Sequence, residues 1–424
     1  MFIFLRDDLL LPTLSMKAGW PKELEDRPTI HIGLLWHSLL SENLGVGALT
    51  IANAYLIAAA VGRVGYRPVF HIIGVRGTHD YTAVLPFENS FVNVGYKAMV
   101  NPLSGLHRHL RRCDIVFDIG AGDSFSDIYR WSRLNLILAS KVAVRIARAP
   151  LIFSPQTIGP FFSKPARIAA KGVLALADAI FARDETSLAL LKTMGFGDKA
   201  SLATDVAFAL PFTAPADKAG RDLLNGPIKV GVNVSALLYR RELSRGDRIA
   251  LALDYPALID AILQRLSDDP RIELHIVPHV VNSAMDHEND SAVSEMLKTR
   301  FATATIAPPF GDPLQAKNYI AGLDLLIGSR LHATIAAISS GTAAFPLGYS
   351  RKFNGLFGSL GYELAADLTQ DSQQTVLARL NDVLGNLASV RQAALAANAK
   401  AQQRLALYSE FLDRTIAEMV VRNA

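Results

Sequence analysis

The chain contains a single cysteine, Cys113, among 424 residues. One thiol excludes an internal disulfide and a thiolate metal cage, and it points to a reducing compartment. The ten histidines are scattered, and none forms an HExxH or comparable metal-binding spacing. No metal or other cofactor is therefore expected. Charge is scarce as well, at 19% of residues with a formal net charge of +4. That mild excess falls short of the clustered basic stripe of a nucleic-acid binder, so no nucleic-acid partner is expected. An anionic small substrate and an anionic membrane surface are both compatible with it. Long apolar runs are missing too. The longest, Leu49 to Val61, is shorter than the roughly 20 residues a spanning helix needs and contains Asn53 and Tyr55. The apolar amino terminus is broken by Arg6, Asp7 and Asp8, which spoils a signal-peptide core. A cytoplasmic location is expected, with any membrane contact peripheral and at the inner face. The sequence leaves the oligomeric state open.

What the chain has in abundance is apolar residues, half of the total, over a length too great for one compact core. The reading is an α/β protein of two Rossmann-like domains facing a cleft. Residues 1–28 form an amino-terminal arm, 29–210 the first domain, 211–227 a Pro/Gly-rich linker, 228–372 the second domain and 373–424 carboxy-terminal helices. In the first domain, strands are expected at Thr29–Leu35, Tyr66–Ile73, Asp114–Ile119, Ala149–Ser154 and Ala179–Ala182. In the second they are expected at Ile228–Val234, Ile272–Val277 and Leu323–Ile327. Helical segments separate them, so the strands should be parallel and their trailing loops should share one edge of each sheet. The carboxy-terminal helices read as structural, with a membrane-surface role as the alternative for an amphipathic helix bearing Lys and Arg.

The segment Asp324 to Lys352 concentrates the chemistry. A strand-length apolar run ends at Gly328-Ser329, and Arg330 and His332 then stand where a helix begins. Open parallel sheets bind ligands at that edge, beside helix N-termini whose unpaired N–H groups favour anions. Arg330 offers a planar fork for carboxylate or phosphate, and His332 can exchange a proton near neutrality. Lys352 follows one βα step later. Alternatively, Arg330 caps a surface helix and His332 satisfies a core hydrogen bond. Other strand-end loops also carry candidates with two readings each. Asn43 and Gly45 either contact ligand or make a tight turn with Asn at positive φ. Gly120, Gly122 and Asp123 either contact ligand or cap the next helix. Gln156 and Gly159 sit between prolines and shape a rigid loop, Gln156 being kept as a ligand contact. Arg183 and Asp184 could form a surface ion pair of little weight. Asp205 is a turn-former or a cleft residue, His279 follows Pro278 at a strand end, and Asn289-Asp290 caps a helix.

Read in order, NLGVGALT at Asn43–Thr50, DIVFDIGAGDSFSD at Asp114–Asp127, SPQTIGPF at Ser154–Phe161, ARDETS at Ala182–Ser187, TDVAF at Thr204–Phe208 and IGSRLHATIAAISSGT at Ile327–Thr342 followed by GYSRK resemble the polysaccharide pyruvyl transferase family. Where many relatives read GNxGD in the first loop, this chain has Glu42 and Val46 at the glycine and aspartate positions. The resemblance implies a GT-B-like fold and transfer of pyruvate from phosphoenolpyruvate to saccharide hydroxyls as a ketal, with release of phosphate. It also implies a saccharide acceptor in polysaccharide biosynthesis, with a lipid-linked one as an open expectation. A donor carrying carboxylate and phosphate would be held by Arg330, Lys352 and Arg183, helped by Asn43, Gly45, Gly120, Gly122, Gln156 and His279. His332 is the first acid/base candidate, with Asp123, Asp205 and His279 behind it. The alternatives are a GT-B glycosyltransferase using a nucleotide sugar and a non-catalytic anion- or glycan-binding protein.

Overall fold

A computed structural model describes residues 26–101, 103–213, 215, 226–240, 250–281 and 286–423. Most of the amino-terminal arm, most of the linker and the segment 241–249 lie outside the described residues. The first sheet contains β1 (Thr29–Leu35), β2 (Arg67–Gly74), β3 (Glu88–Asn93), β4 (Ile115–Asp118), β5 (Leu151–Gln156), β6 (Ala179–Ala182) and β7 (Ala200–Leu202). Their spatial order is β3-β2-β1-β4-β5-β6-β7, all parallel. The second sheet contains β8 (Ile228–Asn233), β9 (Ile272–Ile276), β10 (Thr305–Ile306), β11 (Leu325–Gly328), β12 (Ala343–Gly348) and β13 (Ala366–Asp367), ordered β10-β9-β8-β11-β12-β13 and again parallel. The edge strands β7, β10 and β13 have no counterpart in the sequence reading, because two or three residues carry too little periodicity to register; β3, six residues reading ENSFVN, is too polar to stand out, and β12 is implied only by the βα step before Lys352.

Both sheets reverse their winding at one place, between β1 and β4 in the first and between β8 and β11 in the second. Those are the switch points where open α/β sheets leave a crevice at the strands' carboxyl ends. The strands are apolar on both faces, as a covered parallel sheet requires. In the first sheet, alternate residues such as Leu34 and Leu35, or Phe117 and Val116, belong to separate cores on opposite faces. One face carries the helix Leu44–Arg63, and the other carries the helices Trp131–Ile146 and Lys164–Ala175.

The helix Leu44–Arg63 starts earlier than the glycine loop in the sequence suggests, since Leu44 to Gly47 already make its first turn. By length and composition it could cross a membrane, yet 78% of its most apolar window is buried inside the protein. A helix apolar on all sides is what the junction of two domains needs. It packs against the helices Pro313–Ala321 and Leu331–Ser339 of the second domain and against the final helix, Leu387–Asn423. That final helix buries Ala394, Ala397, Ala401, Leu405, Tyr408, Leu412 and Ile416, a stripe at helical spacing. Tyr408 Oη donates to Asn53 Oδ1 at 3.1 Å and meets Ser154 Oγ at 3.0 Å, both in the first domain. The carboxy-terminal segment thus ties the domains together, and its apolar face is used up inside the protein rather than left for a membrane.

Candidate active site

Chain reversal at β11 sets the centre of the site. Gly328 ends the strand, Arg330 is the N-cap of the helix Leu331–Ser339, and His332 occupies its first turn. No side chain caps this helix, so its leading N–H groups face the strand-end crevice. A Cβ on Gly328 would come within 2.5 Å of Thr334 Oγ1, which shows how tightly the turn closes.

His332 meets the first domain here. Its Nε2 is 3.7 Å from Asp205 Oδ2, and the same carboxylate oxygen accepts from Arg183 Nη1 at 2.7 Å. Arg183 Nε donates to Thr157 Oγ1 at 2.7 Å. Arg183 and Asp205 are both buried, so the expected surface ion pair between Arg183 and Asp184 does not form. Asp184 instead caps the helix Glu185–Thr193 by accepting from Ser187 N. Asp205 also accepts from Ala207 N, capping a short turn at 206–209. Burial alone would raise the Asp205 carboxyl; His332, Arg183 and the Ala207 N–H outweigh it and hold the group at about 2. It is a fixed carboxylate aimed at an imidazole. His332 Nε2 itself is buried with no hydrogen-bond partner among the described residues.

The first loop closes over the other side of the ring. A Cβ on Gly45 would lie 2.3 Å from His332 Nδ1, so only glycine leaves room for the imidazole. Asn43 does not take the positive φ of the turn reading. It sits at φ −86° as a helix N-cap, accepting from Gly45 N at 3.0 Å. The loop is stitched to the second domain by Leu44 N donating to the His279 carbonyl and Val281 N donating to the Glu42 carbonyl. Glu42, in place of glycine, accepts from Thr78 N at 2.7 Å.

Arg330 departs from the expectation of an open fork. Its Nη2 and Nε donate to the two oxygens of Asp290 at 2.7 and 3.1 Å, and Nη2 reaches the Glu288 carbonyl at 3.3 Å. Nη1 alone has no partner among the described residues. Asp290 is more than part of a cap: fully buried, it also accepts from the backbone N–H groups of Ala236, His279 and Val280. The fork is thus held rigidly by a carboxylate, and its remaining edge is what a donor could use.

His279 is buried with Nδ1 unpartnered among the described residues, and burial together with the nearby His332 lowers it to about 4, so it is neutral at pH 7. His279, His332 and Lys317 line a cavity of about 10 Å³, room for a single water. The sequence reading missed Lys317. Its Nζ donates to the Leu210 carbonyl at 2.7 Å, and burial lowers it to about 7. A signal was present, because Lys317 falls at helical spacing among the buried Pro313, Ile320 and Ala321.

Other candidates lie elsewhere. Gly120, Ala121 and Gly122 follow one another at positive φ (53°, 49° and 89°), and no helix begins before Trp131, so Asp123 and Ser124 cap nothing. Gly122 approaches Arg183, whose Nη1 would be 3.5 Å from a Cβ there. Asp123, in the loop after β4, accepts from Tyr129 Oη at 2.9 Å. Gln156 is not in a loop: β5 runs through it, and its amide donates to the carbonyl and carboxylate of Asp118 inside the first domain. Lys352 starts the helix Arg351–Ser359, and its side chain lies outside the described residues. Among the described residues, no group of three or more His, Cys, Asp or Glu is placed to hold a metal.

Comparison with known proteins bears on the fold and the family. By structure, the chain is similar to S. aureus MnaA in complex with UDP (TM-score 0.56, 10% identity, covering 87% of this chain and 92% of that one) and to a UDP-N-acetylglucosamine 2-epimerase (0.53, 11%, 91% and 97%). At such identities the likeness shows a shared GT-B-like fold. By sequence, it is 24% identical over 297 residues to the amylovoran biosynthesis protein AmsJ of Erwinia amylovora, covering 67% of this chain and 68% of that protein. A family model described as polysaccharide pyruvyl transferase matches residues 43–351, from the N-cap Asn43 through the helix start after β12. That span takes in Arg183, Asp205, His279, Arg330 and His332, and the chain belongs to the polysaccharide pyruvyl transferase family, as an enzyme of polysaccharide biosynthesis.

Proposed function

We propose that the enzyme transfers pyruvate from phosphoenolpyruvate to two hydroxyls of a saccharide, forming a ketal and releasing phosphate. The observation that supports this reading most is the Asp205–His332 pair, a carboxylate of one domain set against an imidazole of the other beside an uncapped helix N-terminus. The reaction moves two hydroxyl protons. As the first hydroxyl oxygen bonds to C2, its proton is removed and C3 becomes a methyl group by gaining one. As the second hydroxyl bonds to C2, the C2–O bond to phosphate breaks, and its proton leaves with the phosphate. His332 is suited to carry these protons, because its Nε2 lies 3.7 Å from the Asp205 carboxylate with no hydrogen-bond partner of its own among the described residues. The free N–H groups of the helix Leu331–Ser339 and Nη1 of Arg330 would hold the donor's anionic groups. Cytoplasmic action fits a donor of central metabolism and a chain with one thiol.

The test is phosphate release from phosphoenolpyruvate across a panel of acceptor glycans, with thermal shift run in parallel. Phosphate should appear only when an acceptor is present, and phosphoenolpyruvate should raise the melting temperature. Stabilisation by UDP-sugars alone, with no phosphate released on any acceptor, would instead identify a glycosyltransferase.

A further inference from the structure

Charge is distributed very unevenly along this chain. Residues 96–175 hold 12 Lys and Arg against 4 Asp and no Glu, in a protein whose formal net charge is only +4. Of the 12, only Lys141 is buried, and it is paired with Asp118. The rest of the chain is therefore net acidic. The same stretch exposes apolar side chains that a soluble surface would normally cover. Phe162 is 79% exposed and Ile168 63%, and Tyr96, Ile128 and Trp131 are each close to half exposed.

These residues share one side of the molecule. The helices Tyr96–Val100, Gly105–Leu110, Trp131–Ile146 and Lys164–Ala175 build the outer layer of the first domain, on the sheet face opposite the helix Leu44–Arg63. The aromatic residues run along its upper edge. Tyr96 Oη donates to the Ser132 carbonyl, beside Trp131. Asp127, next to Ile128, accepts from Phe162 N and Ser163 N at 2.9 and 2.8 Å, which fixes the loops after β4 and β5 side by side. Arg130, Arg133, Lys164 and Arg167 are exposed between the apolar residues.

We propose that this outer helical layer docks the enzyme on an anionic lipid bilayer. Aromatic and aliphatic side chains interleaved with Lys and Arg suit the headgroup boundary, where the rings enter and the cations meet lipid phosphates. A second copy docked face to face would bring like charge against like charge. Nucleic acid would find no use for exposed Ile128 and Ile168. The edge in contact belongs to the same strand ends that carry Gly122 and Arg183, so the bilayer would lie on the side from which the cleft opens. Docking itself does not depend on the donor being phosphoenolpyruvate.

Co-sedimentation of the full chain with phosphatidylcholine vesicles, with and without phosphatidylglycerol, tests this in the absence of any substrate. Binding should require phosphatidylglycerol and weaken with salt. The variant Arg130→Glu/Arg133→Glu/Lys164→Glu/Arg167→Glu should lose more than about tenfold of it. Trp131→Ser/Phe162→Ser should leave a weaker, wholly salt-sensitive attraction. All six residues are exposed, and because Arg133 Nη2 also donates to the buried Ser124, circular dichroism of each variant serves as the folding control. Equal binding to both vesicle types, or wild-type binding by the charge variant, would overturn the proposal. So would self-association without vesicles that Phe162→Ser abolishes, which would assign the face to a second copy.

Discussion

Two buried ion pairs in the first domain look alike and differ in what surrounds them. Lys141 and Asp118 meet at 3.0 Å with no exposure on either side. The ammonium lies over the rings of Phe125 and Phe153, and Gln156 donates to the Asp118 carboxylate. One orphan remains, Gln156 Oε1, pressed against Gly120. Arg183 and Asp205, at 2.7 Å, are as deeply buried, but their neighbours are incomplete. Among the described residues, His332 Nε2 and His279 Nδ1 lack partners beside a water-sized cavity at the domain boundary, and so does Thr204 Oγ1, next to Asp205 in the chain. A buried pair enclosed by its own domain holds structure. A buried pair at a boundary with unmet polar atoms is prepared for a ligand.

The comparison breaks most visibly at Asp205. Asp205→Ala leaves Arg183 charged and unpaired, which should cost about 3–5 kcal/mol of stability, and it also removes the partner of His332. Turnover per folded molecule should fall by about 10²–10⁴. Urea unfolding and phosphate release measure the two effects separately. Lys141→Met should cost a similar amount of stability, about 3–5 kcal/mol, while turnover per folded molecule stays near wild type. If Lys141→Met slows turnover as much as Asp205→Ala does, the distinction between the two pairs is wrong.

Gly45→Ala probes the ring alone. The added Cβ must displace His332, so turnover should drop by about 10² and overpacking should cost about 1–3 kcal/mol of stability, less than the loss of a buried ion-pair partner. The smallest effect is on pH. His37, His71 and His279 are lowered to about 3, 4 and 4, with burial as the first cause in each. Between about pH 6.5 and 4 the unfolded chain binds protons that the folded one refuses, so stability should fall as pH falls through that window. Asp205 acts in the same direction lower down: its stabilising contribution is complete above its ordinary value of 3.8 and is lost as pH falls towards about 2. His279→Leu should flatten the upper window by up to about 1.4 kcal/mol per pH unit. An unchanged slope would show that His279 is charged in the fold.

Local pattern made much of this architecture readable. Periodicity marked the long central strands and the helix Tyr255–Ser267, and the turn after β11 placed Arg330 and His332 at a helix start, because each depends on residues within a few positions. Arg183, Asp205 and His332 were each legible as candidates, yet their association was not. Nothing in the chain between them states that β6, the end of β7 and the helix after β11 converge.

Two parallel α/β layers, the strand end that carries Arg330 and His332, and the family were all legible along the chain, since hydrophobic period, turn chemistry and motif order are properties of neighbouring residues. Contacts made across the fold settle that Asp290 occupies the fork of Arg330, that Gly45 is glycine to admit the His332 ring, and that Lys317 lies in the same cavity. They likewise turn the final helix inward onto both domains, and the fold sets Arg130, Arg133, Lys164 and Arg167 among exposed apolar side chains on one outer layer. Each of these depends on which groups are brought within a few ångströms across a domain boundary, and at that range burial and Coulomb interaction are set by distance in space rather than by separation along the chain.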